Sequence, residues 1–298
     1  MLYFPNGEAV LNHPRPSSIF LLEPYIPMDS IIVLHGKAGI GKSALAWTIA
    51  EAIQTGAPFL EEMPTTQTEV LYLCLDMPMF VLQNRWGSKP DNPAFHFHVC
   101  HEKFSFDSLQ FNLQAPDSRH KLLKEQLLAI KEKVKPGFVI VDSSREIHIA
   151  DVKDSSIPKR LYDSMQRLFE ASVMLLHHDR KDSEYSFMAG DREAAIGTQE
   201  WTAHAQVTLR LARQGKGLFL IHSKSQVGEE YDRLALTFEG GIVVESRDKG
   251  RIDMIRQLRG QLPDKPAREF DELVATELKL SERRARALRL ALEQKQRG

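Results

Sequence analysis

Cysteine is scarce: Cys74 and Cys100 are the only two in 298 residues. Both sit in apolar stretches, so they read as small buried hydrophobes of a protein from a reducing compartment. A surplus of charge is missing as well. The formal net charge is -1, so the chain as a whole does not bind polyanions by bulk field, and any basic patch has to be local. No apolar run approaches the roughly 18 residues of a membrane span. The N-terminus lacks the basic-then-apolar order of a signal peptide. The expectation is a cytoplasmic protein with no membrane partner. Internal repeats and low-complexity tracts are absent too.

What remains is an ordinary globular composition, 42% hydrophobic and 27% charged, long enough for one large domain or a core with a small appendage. Residues 1–28 carry Pro5, Pro14, Pro16, Pro24 and Pro27, a density that forbids a long helix and predicts an N-terminal arm or a set of turns. Four short apolar runs follow, "SIIVLHG", "EVLYLCLD", "FVIVDSS" and "SVMLLHHD". Each reads as a buried strand. Helical patterns lie between them, from Lys42 to about Gln54, Phe80 to Trp86, Arg119 to Val134 and Pro158 to Ala171. Strands alternating with helices imply an α/β fold with a mainly parallel central sheet. The later segments "AQVTLRLAR", "GLFLIHSKS", "LALTFE" and "GIVVES" alternate apolar with polar, as an antiparallel extension does. Residues 246–266, polar and holding Gly250, Gly260, Pro263 and Pro266, read as a linker between a 29–245 core and a helical unit over 267–298.

The chemistry gathers at the strand ends. Gly36-x4-Gly41-Lys42-Ser43 is the complete P-loop pattern, with a strand before it and a helix after. Gly36, Gly39 and Gly41 let the backbone wrap a phosphate, and the N–H groups from Gly36 through Lys37, Ala38, Gly39, Ile40, Gly41, Lys42 and Ser43 to Ala44 point inward. Lys42 adds a point charge for the terminal phosphates, the Ser43 hydroxyl ligates magnesium, and the helix dipole strengthens the anion site. The ligands expected are therefore ATP and Mg2+. Asp142 ends "FVIV", where a carboxylate can hold the metal from the side opposite Ser43. Asp76 ends "VLYLCL", where a carboxylate can orient the attacking water and take its proton. His177 and His178 end "SVMLL". Successive side chains on a strand face opposite ways, so only one of them can face the nucleotide. His178, nearer the strand end, is the expected contact to the γ-phosphate.

These strand ends, in this order, resemble the RecA-like branch of P-loop ATPases, and within it the small hexameric replicative helicases of the RepA type found on plasmids, phages and mobile elements. The phrases "IVLHGKAGIGKS", "VLYLCLDMP" followed by Arg85, "FVIVDSSREIH" and "SVMLLHHDRK" carry the likeness. It implies a RecA-like core, Lys42 and Ser43 for phosphate and magnesium, Asp142 for metal and His178 for sensing the γ-phosphate. The catalytic carboxylate of such proteins is usually glutamate. Asp76 is one methylene shorter, which implies slow hydrolysis. The family completes each site with basic groups of the next subunit. The matching segment "LFLIHSKSQ" retains Lys224 without an arginine beside it, and Arg85, Arg210 and Arg213 are the nearby substitutes.

Nucleic-acid contact has two candidate seats. The loop after the double histidine holds Arg180, Lys181 and Arg192, but from Asp179 to Glu193 its net charge is -2, the wrong sign for phosphate. The tail "REFDELVATELKLSERRARALRLALEQKQRG" reads as helix, turn, helix with Ser281 as N-cap, in the manner of a helix-turn-helix. From Lys279 to Gly298 it has seven basic and two acidic side chains, with Arg283, Arg284, Arg286 and Arg289 on the second helix. The functional expectation is an ATP-driven motor: a homo-oligomeric ring, hexameric in its closed state, on single-stranded DNA, working beside other replication or recombination proteins. A strand-exchange or annealing ATPase and a nucleotide-dependent scaffold are the alternatives.

Overall fold

The computed structural model describes residues 18–60, 63–75, 77–87, 95–99, 118–144, 157–179, 200–214, 217–227, 233–239, 242–245, 248–263, 265–278, 285–286 and 289. Among them one sheet dominates. Its parallel part comprises β3 (Ile31–Gly36), β4 (Val70–Cys74), β5 (His96–Val99), β6 (Phe138–Asp142), β7 (Ser172–His178) and β8 (Val207–Gln214). The sheet continues through β9 (Gly217–Ser225), β10 (Leu234–Glu239) and β11 (Ile242–Glu245), each antiparallel to its neighbour. The strand order is β11-β10-β9-β8-β3-β7-β6-β4-β5. Strands β3, β4, β6 and β7 are buried along nearly their whole length, on both faces, which is why they read as unbroken apolar runs.

Strand alternation sends the two sets of side chains to two cores. On one face Ile32, Leu34, Tyr72, Cys74, Ile140, Met174 and Leu176 pack against Leu45, Ile49 and Ile53 of α1 (Lys42–Thr55). On the other, Ile31, Val33, Leu73, Val141, Val173 and Leu175 meet Leu161, Tyr162, Met165 and Phe169 of α4 (Ile157–Phe169) and Trp201 of the one-turn α5 (Glu200–Ala203). Two further helices, α2 (Met79–Gly87) and α3 (Ser118–Val134), follow β4 and precede β6. No described helix is long and apolar enough to cross a membrane.

Three segments differ from the sequence expectation. Strand β8, expected in the antiparallel extension, pairs parallel with β3 and is antiparallel only to β9. Part of the proline-rich arm is folded into the core: β1 (Phe20–Leu22) and β2 (Ile26–Pro27) pair as a hairpin whose Leu22 and Ile26 are fully buried beside α1. Proline excludes the helix there but tolerates a two-strand edge. The expected linker is largely helical: α6 spans Asp248–Gln261 and α7 spans Ala267–Leu278. Gly250 and Gly260 cost helix propensity, yet burial of Ile255 with Phe270, Val274 and Ala285 offsets it. The helix belongs with the C-terminal residues in a small core of its own.

Candidate functional site

The C-terminal ends of the parallel strands meet at one edge. Gly36 lies level with His178 on one side and Leu211 on the other, and Cys74 lies level with Asp142. The chain turns from Gly36 into α1 through a glycine-rich bend. Gly36 has room for no side chain, since a Cβ there would strike the Leu211 carbonyl oxygen. Gly41 is the N-cap of α1 in a left-handed conformation, φ 110°, and a Cβ on it would enter the ring of Phe238. Only glycine combines that φ with that approach.

Lys42 is almost completely buried, 6% exposed. Its Nζ donates to the carbonyl oxygens of Gly36 at 2.8 Å and Lys37 at 3.0 Å. The same ammonium lies 3.4 Å from Nδ1 of His178. A buried ammonium held on carbonyls, next to a helix N-terminus, is a ready anion site. His178 therefore stands on the α1 face with Lys42. His177, one residue earlier, faces the other core. It stacks on Trp201 with ring centroids 4.7 Å apart, and its Nδ1 is 2.7 Å from Ser144 Oγ.

Asp142 is buried at the end of β6 on the α1 face, where Tyr72 Oη donates to its Oδ2 at 2.7 Å. Burial and that carboxylate push the Tyr72 phenol well above its ordinary pKa, so the hydroxyl stays a donor. A hydroxyl from Ser43 and a carboxylate from Asp142, completed by phosphate oxygens and water, suit a hard octahedral cation such as magnesium. The described residues hold no cluster of three or more His, Cys, Asp or Glu able to bind a metal by themselves.

Three expected site residues are engaged elsewhere. Lys224, expected to reach a neighbouring subunit, turns into its own chain: Nζ donates to the carbonyls of Thr202, Ala203 and Ala205 at 3.1, 2.6 and 2.6 Å, closing the C-terminus of α5. Arg210 is buried and its Nε donates to Asp179 Oδ2 at 3.3 Å, so it is no substitute. Arg289, expected on phosphate, is buried against Asp271, with Nε and Nη2 at 2.6 and 3.1 Å from the two carboxylate oxygens. It holds the small C-terminal core together. Arg286 and Arg213 are exposed. Asp76, Arg180, Lys181, Arg192, Arg283 and Arg284 lie outside the described residues, as does the side chain of Arg85.

Sequence reasoning missed Tyr72, His35 and Asp179. The signal for the first is parity, because Tyr72 sits two residues before Cys74 on the face that carries α1. For the others it is a histidine inside the apolar run "IIVLHG" and an acid directly after the double histidine.

A family model described as "AAA domain" matches residues 7–184, more than half of the chain. No curated protein matches. Among solved structures, a KaiC-like protein from the hyperthermophilic archaeon Pyrococcus horikoshii OT3 is similar over 76% of this chain and 93% of its own, with a TM-score of 0.52 at 12% identity. A second solved structure, of a separate ATPase domain, is similar over 73% of this chain and 84% of its own, with a TM-score of 0.52 at 13% identity. At that identity the likeness is one of fold, the α/β sheet of RecA-like P-loop ATPases.

Proposed function

The chain belongs to the AAA-domain family, and from that premise we propose that it is a RecA-like ATPase working as an ATP-driven DNA motor, a RepA-type replicative helicase that hydrolyses ATP between the subunits of a hexameric ring and moves on single-stranded DNA. The observation that carries the ATPase reading is the buried Lys42 ammonium, held at the mouth of the P-loop and 3.4 Å from His178. Incoming phosphate oxygens replace the Gly36 and Lys37 carbonyls as its partners. Ser43 and Asp142 would hold magnesium, which would supply charge neutralisation on the phosphates. Asp76 orients and deprotonates the attacking water, and His178 contacts the γ-phosphate. The motor reading rests on the order of the strand-end residues, above all the acid after "VLYLCL" and the double histidine after "SVMLL".

With Lys224 and Arg210 engaged inside their own chain, the basic group offered to a neighbour is Arg213 or Arg85. Arg213 is exposed near the end of β8, two residues beyond the level of Gly36. Arg180, Lys181 and Arg192 of the loop and Arg283, Arg284 and Arg286 of the tail are the DNA-contacting candidates. The short carboxylate of Asp76 favours a second reading, a slow nucleotide-dependent scaffold that recruits partners without unwinding.

The test is ATP turnover at increasing protein concentration, with and without single-stranded DNA, alongside sedimentation. The motor reading expects specific activity that rises with assembly and with DNA. A fully active monomer indifferent to DNA refutes it.

A further inference from the structure

Asp179 closes β7, and both its backbone and its side chain tie that strand end to neighbours. Its N–H donates to the Gly36 carbonyl at 3.1 Å, the same oxygen that accepts from Lys42 Nζ. Its carboxylate takes one hydrogen bond from each of the next two strands on its β3 side. His35 Nδ1 on β3 is 2.7 Å from Oδ1, and Arg210 Nε on β8 donates to Oδ2 at 3.3 Å. All three side chains are buried: His35 is 0%, Arg210 5% and Asp179 6% exposed. Among the described residues His35 Nε2 has no hydrogen-bond partner, so the hydrogen bond that orients the ring is the one at Nδ1. Burial raises the Asp179 pKa, but His35 and Arg210 outweigh it and hold the carboxyl below its usual range.

The arrangement spans three adjacent strands at the edge where the nucleotide would sit. His35 precedes the first P-loop glycine, and Arg210 pairs level with His35. A buried, charge-assisted cluster is expensive to rearrange, because breaking it strands a guanidinium or a carboxylate in a low dielectric. The strand end is thereby fixed on the α4 side of the sheet. Its other side carries His178, beside the Lys42 ammonium. A ring that must meet a γ-phosphate within hydrogen-bond tolerance needs a fixed backbone beneath it.

We infer that Asp179 is a positioning residue, which, through His35 and Arg210, sets His178 against the terminal-phosphate position and so decides how strongly the site prefers a triphosphate to a diphosphate. The inference rests on the P-loop reading of the site and on His178 as its terminal-phosphate contact.

The test is a double-mutant cycle on the full chain, read as the affinities for ATPγS and for ADP, each with magnesium. Asp179→Asn in the wild-type background is expected to lower the triphosphate preference about fivefold or more, while ADP affinity stays within about threefold. In a His178→Ala background the same change is expected to have no further effect on the preference, since the residue through which it acts is gone. Asp179→Asn/Arg210→Gln, which also removes the buried guanidinium that loses the Asp179 charge, regains thermal stability without regaining the preference, and it decides the matter if Asp179→Asn alone does not fold. An unchanged preference in Asp179→Asn, equal losses in both backgrounds, or a preference that returns with stability overturns the inference alone. A wild-type chain that binds neither nucleotide overturns the P-loop reading and the inference with it.

Discussion

The Tyr72 hydroxyl donates a 2.7 Å hydrogen bond to Oδ2 of Asp142, across the two strands whose ends lie level at Cys74 and Asp142. The bond is fully buried, and it fixes the orientation of the carboxylate assigned to magnesium. Tyr72→Phe keeps the ring, which packs edge-on to Trp47 at 6.1 Å, and removes the hydroxyl. The expected loss is about 1.5–3 kcal/mol of stability, the range for a hydrogen bond to a charged group. The magnesium needed for half-maximal ATP turnover should rise. Thermal unfolding and a magnesium titration check the two effects separately.

Gly41 is the point where the P-loop has least room. Gly41→Ala forces a Cβ into the Phe238 ring and into a left-handed φ of 110°. Backbone strain alone is about 1–3 kcal/mol. Nucleotide affinity should fall at least tenfold, together with thermal stability. The pair Gly41→Ala/Phe238→Ala should recover much of the stability, because the clash is gone while the φ strain remains. Fluorescent-nucleotide titration and thermal melts read both.

Asp76 follows β4, whose last residue is level with Asp142. Asp76→Asn should bind ATP with magnesium within about threefold of wild type and turn it over at least a hundredfold more slowly, the scale of a lost general base. Asp76→Glu should be faster than wild type, since it restores the reach of a glutamate. Single-turnover hydrolysis separates the two variants from any change in binding.

The C-terminal residues have a core too small to lose an ion pair. Arg289→Ala leaves the Asp271 carboxylate buried without its guanidinium. Breaking such a pair costs about 3–5 kcal/mol. Residues 248–289 should then become sensitive to protease while ATP turnover by the core persists. Arg286→Ala, at an exposed position, should leave the unit folded and weaken DNA binding. Because Ile255 of α6 packs with Phe270 of α7, a clean removal of the tail is a stop after Glu245, not between the two helices. That truncation should weaken DNA binding at least tenfold at moderate salt and flatten its salt dependence, as the loss of several phosphate contacts does. Equal affinity and equal salt slope would assign the tail to protein contact.

The parallel strands and the P-loop were legible in the sequence because their physics is local. Short apolar runs need no partner to declare themselves, and Gly36, Gly41, Lys42 and Ser43 lie together in one bend of chain. The alternation of His177 and His178 was legible for the same reason. What was not legible depends on distant partners. Arg289 finds Asp271 18 residues away, and Arg210 finds Asp179 31 residues away. Lys224 spends its three donors on backbone carbonyls, which no side-chain pattern announces. Helix α6 was hidden by its two glycines and its polar surface, since among its described residues Ile255 is the buried one in the small core, helped by Leu258 and by Arg259 over the Phe270 ring. The hairpin from Phe20 to Pro27 was hidden by prolines that exclude helix but not an edge strand.

The central claim is that Lys42, parked on the Gly36 and Lys37 carbonyls beside His178, is the phosphate-binding lysine of an ATPase. The most direct measurement is steady-state ATP turnover with magnesium by the wild-type chain and by Lys42→Ala, with circular dichroism to establish that both are folded. The account predicts turnover in the wild type and its loss, by at least a hundredfold, in a folded Lys42→Ala, because the account makes this buried ammonium the charge that meets the developing phosphate charge. Wild-type turnover surviving in Lys42→Ala would contradict it.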